Sequence, residues 1–183
     1  VMARISGTSE ATVGAIEKKR RKSNPPAPFN TTSLMAAASS IGIKPARTMR
    51  IAESLYMNGY TSYPRVDNTV YPDNLDLREV LDILAKVPDF REGAESLLAK
   101  DKLTATRGKQ ETTDHPPIYP TGAADPDKLR PEEWKLYSLI CRRFMATLSE
   151  PAVLESTKVS LDVAGEPFNA RGDVLVEPGY RSV

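Results

Sequence analysis

The chain has 183 residues, 40% of them hydrophobic and 27% charged, with a net charge of +1, which is ordinary for a soluble globular protein and enough to bury a real core. No apolar run approaches the roughly 20 residues that span a bilayer, and no signal peptide is evident, so no membrane partner is expected. A single cysteine, Cys141, excludes an internal disulfide framework or a cysteine zinc site and makes a reducing, cytoplasmic setting the expectation. Charge is unevenly spread: residues 1–65 carry ten Lys/Arg against three Asp/Glu, and the remainder fifteen against twenty-one. Such asymmetry points to a basic face for a polyanion, although the run Lys18-Lys19-Arg20-Arg21-Lys22 fits a solvated strand or loop equally well.

In chain order, the first two dozen residues, with Val13, Ala15 and Ile16, read weakly as strand. Asn24-Pro25-Pro26-Ala27-Pro28-Phe29 then enforces extended backbone, because stacked prolines exclude helix. Thr31 or Thr32 is expected to cap a helix through Leu34 to Ala38 that ends at Gly42. Pro45 opens a second helix at its favoured first position, with Met49, Ala52, Leu55 and Tyr56 as its buried stripe. Arg47 and Arg50 project from another side, and Gly59 stops the helix. Asp76 caps a third helix with Leu77, Val80, Leu81 and Leu84 on one face. Pro88 starts a fourth, with Phe90, Ala94, Leu97 and Leu98. A polar connection from Asp101 to Ala124 is long for a structureless loop and so suspect as functional. Pro131 begins the strongest helix, whose stripe Trp134, Tyr137, Cys141, Phe144, Met145 and Leu148 is core and makes Cys141 inert. From Ala152 the period becomes two: Val153 to Val163 alternates, Gly165 turns the chain, and Asp173 to Glu177 is another strand. The chain ends at Tyr180-Arg181-Ser182-Val183, within what reads as a strand. Position 1 is not methionine, and both ends read as cuts in a larger protein. The fold class is therefore α+β, a mainly helical domain inserted into a β-domain whose strands flank it.

Two segments carry chemistry. In Gly59-Tyr60-Thr61-Ser62-Tyr63-Pro64-Arg65-Val66-Asp67-Asn68, a phenol lies two residues before a guanidinium and four before a carboxylate. A tyrosine nucleophile must overcome a free pKa of roughly 10, and a neighbouring cation helps by favouring phenolate and stabilising charge on a phosphate. Arg65 suits that role because guanidinium grips phosphate bidentately, and Asp67 is placed to orient Arg65 or to move a proton. Most loop tyrosines only pack or hydrogen bond. His115, the sole histidine, lies in Asp114-His115-Pro116-Pro117-Ile118-Tyr119-Pro120-Thr121, where two prolines hold the backbone extended. It suits hydrogen bonding to phosphate or proton transfer, against the plainer reading of a loop histidine capping a carbonyl.

These two segments, preceded in order by Pro26-Ala27-Pro28-Phe29-Asn30-Thr31-Thr32-Ser33-Leu34, resemble the central part of a type IA DNA topoisomerase, most similar to the archaeal form of topoisomerase I. The resemblance covers nearly the whole chain. It implies that Tyr63 is the nucleophile that joins a 5′-phosphate, that Arg65 positions or stabilises the scissile phosphate, and that His115 contacts DNA near the cleavage point. Asp67 falls on the family's motif acid, and Ser62 where Ser or Thr is usual. Thr31, Thr32 and Ser33 open a helix that suits a phosphate. Val66 stands where the commonest pattern has Thr, which puts a polar role there in doubt.

The implied organisation is a partial β-rich arch segment at 1–30, a helical domain carrying the tyrosine at 31–150, and return strands of the arch at 151–183. The implied activity is ATP-independent cleavage and rejoining of one DNA strand, single-stranded at the cleavage site, with relaxation of negative supercoils. The family's Mg²⁺ is bound by an acidic Toprim domain with no counterpart among these residues, so no metal ligand is assigned here. The chain's partners are then DNA and the remaining domains of the same polypeptide, and alone it is expected to be inactive. Rival readings are a noncatalytic single-strand-binding scaffold and the topoisomerase part of a reverse gyrase. A tyrosine recombinase would need a cluster of arginines and histidines that is not found.

Overall fold

The computed structural model describes residues 1–183, which divide into two compact units. One contains Val1–Asn24 and Pro151–Gly179; the other contains Pro25–Glu150 and Tyr180–Val183.

The first unit is an antiparallel sheet in the order β1-β2-β3, from β1 (Thr12–Ser23), β2 (Ala152–Val163) and β3 (Glu166–Glu177). Ala164 and Gly165 both take positive φ, 53° and 80°, as a tight hairpin between right-twisted strands requires. Asp162 Oδ1 accepts the Gly165 N–H at 3.0 Å and closes that turn. The basic run lies on β1, so its side chains alternate between the two faces. Lys18 and Arg20 share Glu155 at 3.5 Å each, and Arg21 reaches Asp173 at 2.9 Å. Both ends of the chain differ from expectation. Residues Met2–Ile5 form a short helix, α1, rather than strand, and Gly179–Ser182 is a 3-10 turn. The last four residues, Tyr180–Val183, belong to the helical unit, where the Tyr180 N–H donates to the Glu150 carbonyl at 2.9 Å. The helical unit also starts earlier than Thr31, at Pro25.

The second unit contains α2 (Thr31–Ser40), α3 (Pro45–Met57), α4 (Leu77–Ala85), α5 (Pro88–Leu98) and α6 (Pro131–Thr147). Asn30, not a threonine, caps α2. Its Oδ1 accepts the Ser33 N–H at 2.9 Å, while Ser33 Oγ accepts the Asn30 N–H at 3.0 Å, a reciprocal pair. On α3 the buried stripe is Thr48, Ile51, Ala52 and Leu55; Ala52 and Leu55 are as expected, whereas Thr48 and Ile51 replace Met49 and Tyr56, and Tyr56 stays 41% exposed. Asp76 caps α4 by accepting from the Arg78 and Glu79 N–H groups. The last helix carries the centre of the core: Leu136, Tyr137, Ile140, Cys141 and Phe144 are fully buried. Burial holds the Cys141 thiol in its neutral form, far above the ordinary thiol pKa, so it stays inert.

Each fully buried large apolar side chain contributes about 1.5–3 kcal/mol, against about 0–1 kcal/mol for an exposed ion pair. Packing around α6 therefore outweighs the surface charges. The Pro-rich entry joins this core through Phe29, which is fully buried and lies 4.0 Å beneath the Arg143 guanidinium. Arg143 also donates to the Ala27 carbonyl at 3.1 Å. No helix is long and apolar enough to cross a membrane.

Glu133 is a buried acid that joins α3 to α6. Its carboxylate accepts from the Arg130 guanidinium at 2.6 Å, the Arg130 N–H at 3.1 Å and the Ser54 hydroxyl at 3.1 Å. The Arg130 bond, chiefly, holds its pKa at about 2 against an ordinary 4.5. A depressed carboxyl stabilises the fold fully above its unfolded pKa, and that contribution fades as pH falls from about 4.5 towards about 2. Thermal melts should therefore show wild-type stability falling more steeply over that window than stability of Glu133→Gln. Parallel curves would contradict this account of the group.

Candidate active site

The tyrosine turn begins where α3 ends. Gly59 takes φ 76°, the left-handed value that glycine adopts freely. The Tyr60 N–H then returns to the Leu55 carbonyl at 2.9 Å, closing the helix end and reversing the chain. From there residues 60–63 run beside residues 117–121. Thr61 and Pro120 form an antiparallel bridge, and Phe29 and Ile118 form another on the far side of that strand. The Ser62 N–H donates to the Tyr119 carbonyl at 2.9 Å, the Thr121 N–H to Tyr60 at 3.0 Å and the Ile118 N–H to Phe29 at 2.8 Å. Gly122 lets this seam close: a Cβ there would stand 2.5 Å from the Gly59 carbonyl oxygen.

Side chains reinforce the seam. Ser62 is buried, its hydroxyl accepting the Tyr119 N–H at 3.0 Å and donating to the Pro117 carbonyl at 3.1 Å. Asn68, also buried, donates from Nδ2 to the Thr112 and His115 carbonyls at 2.9 and 3.1 Å. Its Oδ1 accepts the Val70 N–H at 3.0 Å. The start of α2 docks on the same turn. The Thr31 N–H donates to the Val66 carbonyl at 2.9 Å. The Thr31 hydroxyl accepts the Val66 N–H at 2.8 Å and donates to the Pro64 carbonyl at 2.8 Å.

This scaffold brings Tyr63 and His115 together. Their ring centres lie 4.9 Å apart at 51°, while Tyr56 also meets Tyr63, edge-on at 5.4 Å and 70°. Tyr63 is half-buried and His115 exposed. Beside His115 opens a shallow cleft of about 320 Å³ lined by Asn68, Val70, Thr112, Asp114 and Pro116 among others. Asp114 is held below the usual carboxylate range, first by the Thr112 hydroxyl at 2.6 Å and then by the His115 backbone.

Arg65 is not oriented by Asp67. Its Nε donates to Glu53 Oε1 at 2.9 Å, and its Nη2 bonds the same oxygen. The reason is geometric: Asp67 points outward on the extended turn, and its backbone carbonyl accepts from Asn30 Nδ2 at 3.3 Å. The hydroxyls of Thr31 and Ser33 are engaged within the protein, as are their N–H groups, which leaves Thr32 as the exposed member of the trio. Arg47 grips Glu132 on α6 through Nε at 2.9 Å and Nη2 at 2.6 Å, so it joins two helices, whereas Arg50 is exposed. Val66 is buried in the core and makes its polar contacts through backbone alone, so the position needs no hydroxyl. No group of three or more His, Cys, Asp or Glu side chains is arranged to hold a metal ion. Glu53, Asn68 and Tyr56 are the neighbours that sequence reasoning missed. Asn68 closes the tyrosine motif and carried a hint, while Glu53 carried none.

The model of the DNA topoisomerase family matches residues 1–183. DNA topoisomerase 1 of Archaeoglobus fulgidus is 46% identical over 183 residues, all of this chain and 27% of that protein. DNA topoisomerase 3-beta of Drosophila melanogaster is 38% identical over 181 residues, 98% of this chain and 20% of that one. The chain thus spans about a quarter or less of the curated relatives it matches. Among solved structures, full-length topoisomerase I from Thermotoga maritima superposes with a TM-score of 0.68 at 26% identity, covering 100% of this chain and 31% of that one. Matched along its whole length in sequence and in fold, the chain belongs to the type IA DNA topoisomerase family.

Proposed function

We propose that this chain is the tyrosine-bearing part of an enzyme that cuts and rejoins one strand of DNA without ATP. The observation that carries the reading is the meeting of Tyr63 and His115, far apart in sequence, at a ring-centre distance of 4.9 Å. A loop tyrosine that merely packs has no need of a histidine fixed beside it by Ser62 and Asn68.

In this reading the Tyr63 phenol oxygen attacks a backbone phosphorus in single-stranded DNA. An O–P bond forms to the tyrosine, the bond to the 3′-oxygen breaks, and the proton lost by the phenol is balanced by one gained on that 3′-oxygen, which leaves as a hydroxyl. One phosphodiester replaces another, so the bond energy is retained and the reverse step needs no nucleotide. His115 donates a hydrogen bond to phosphate near the cleavage point, and Arg65 offsets its charge. The other strand passes through the gap, and negative supercoils relax. The residues here offer no metal-ligand set; in this reading the family's Mg²⁺ belongs to a Toprim domain, and other flanking parts complete the single-strand groove.

In the full-length protein, Tyr63→Phe should reduce covalent DNA adduct and plasmid relaxation by roughly 10⁴-fold or more, to background. A wild-type protein that binds single strands yet forms no adduct would contradict the reading and favour a noncatalytic binding module. The 183-residue chain alone, incubated with a single-stranded oligonucleotide, should yield no adduct detectable on a denaturing gel. Robust cleavage by that chain would overturn the division of the site between domains.

A further inference from the structure

The ion pair between Arg65 and Glu53 has a shape that its stability does not explain. Both side chains reach solvent, Arg65 59% and Glu53 42% exposed, and pairs at the surface contribute about 0–1 kcal/mol. Yet Nε and Nη2 of Arg65 converge on one oxygen, Oε1 of Glu53. That is the side edge of the guanidinium. Of its five N–H donors, one Nη1 hydrogen and the outer Nη2 hydrogen form the end edge, the other fork that matches a phosphate.

Glu53 stands on α3, three residues before Tyr56, and Tyr56 is the ring that meets Tyr63 edge-on at 5.4 Å. One helix face therefore contacts both the nucleophile and the arginine two residues beyond it. This helix is braced to α6 by Arg47–Glu132 and Ser54–Glu133, so the face is fixed. An arginine side chain alone carries about 2 kcal/mol of rotamer entropy, which a single anchored edge removes before any phosphate arrives.

We infer that Glu53 is a positioning residue for strand cleavage: it holds Arg65 by its side edge so that its end edge faces the scissile phosphate. This rests on the reading of Tyr63 as the nucleophile. The alternative, that Glu53 merely neutralises Arg65 and competes with DNA, predicts the opposite sign.

The test is single-turnover cleavage of a single-stranded oligonucleotide by the full-length protein, with Kd measured separately. Glu53→Ala should slow cleavage about ten- to a hundredfold with Kd within about twofold, and melting should be unchanged. Glu53→Gln, which keeps the acceptor oxygen, should recover most of the rate. In an Arg65→Ala background, Glu53→Ala should have no further effect. Wild-type or faster cleavage by Glu53→Ala would overturn the inference, as would a rate loss that persists in full without Arg65. Absence of adduct from the wild-type protein, unlike either result, would instead remove the nucleophile reading itself.

Discussion

Two stretches of the helical unit without regular structure, residues 59–68 and 114–121, carry backbone groups that need partners, and they find several of them in one another. Ser62 exchanges bonds with Tyr119, and Thr121 reaches back to Tyr60 and Gly59. An unpaired buried backbone group costs about as much as a lost hydrogen bond. The seam is therefore demanded by burial of Thr61, Ser62, Pro117 and Ile118. Its consequence is chemical: a phenol and an imidazole from distant segments come to share one edge of the protein. The start of α2 locks the same turn from behind through Thr31 and Val66.

The helices act as a template for this seam. Gly59 ends α3 with a left-handed residue and so sets the direction in which the tyrosine turn leaves. The Pro-rich entry, pinned by Phe29 under Arg143, supplies a third strand-like edge beside Ile118. Prolines at 116, 117 and 120 suit that position because their fixed φ is extended and the missing donors are not required. Apolar burial around α6 supplies the rigidity, and the polar groups near the turn decide geometry.

Much of this was legible in the chain itself. Helices α3 to α6 announce themselves by Pro or Asp at their starts and by apolar stripes at helical spacing, and the switch to period two after Ala152 marks the sheet. What was not legible depends on contacts between segments. Thr31 and Thr32 read as the caps of α2, but the Thr31 hydroxyl is engaged by Pro64 and Val66, and Asn30 takes that role. The buried stripe of α3 turns towards Thr48 and Ile51, which stand beside the expected Ala52 and Leu55 in place of Met49 and Tyr56. That shift puts Tyr56 at the surface beside Tyr63. Likewise Asp67 is nearer to Arg65 in sequence than Glu53, yet an extended turn separates the first pair while a helix face presents the second.

The central claim is that the tyrosine turn and the histidine strand form one paired unit rather than two mobile loops. Amide hydrogen exchange of the 183-residue chain tests it residue by residue. Ser62, Tyr119 and Thr121 donate across the seam, so their amides should exchange as slowly as those in the middle of α3. Exchange of these three at the rate of exposed loop amides, with α3 still protected, would show that the seam does not hold and that Tyr63 and His115 are not preset.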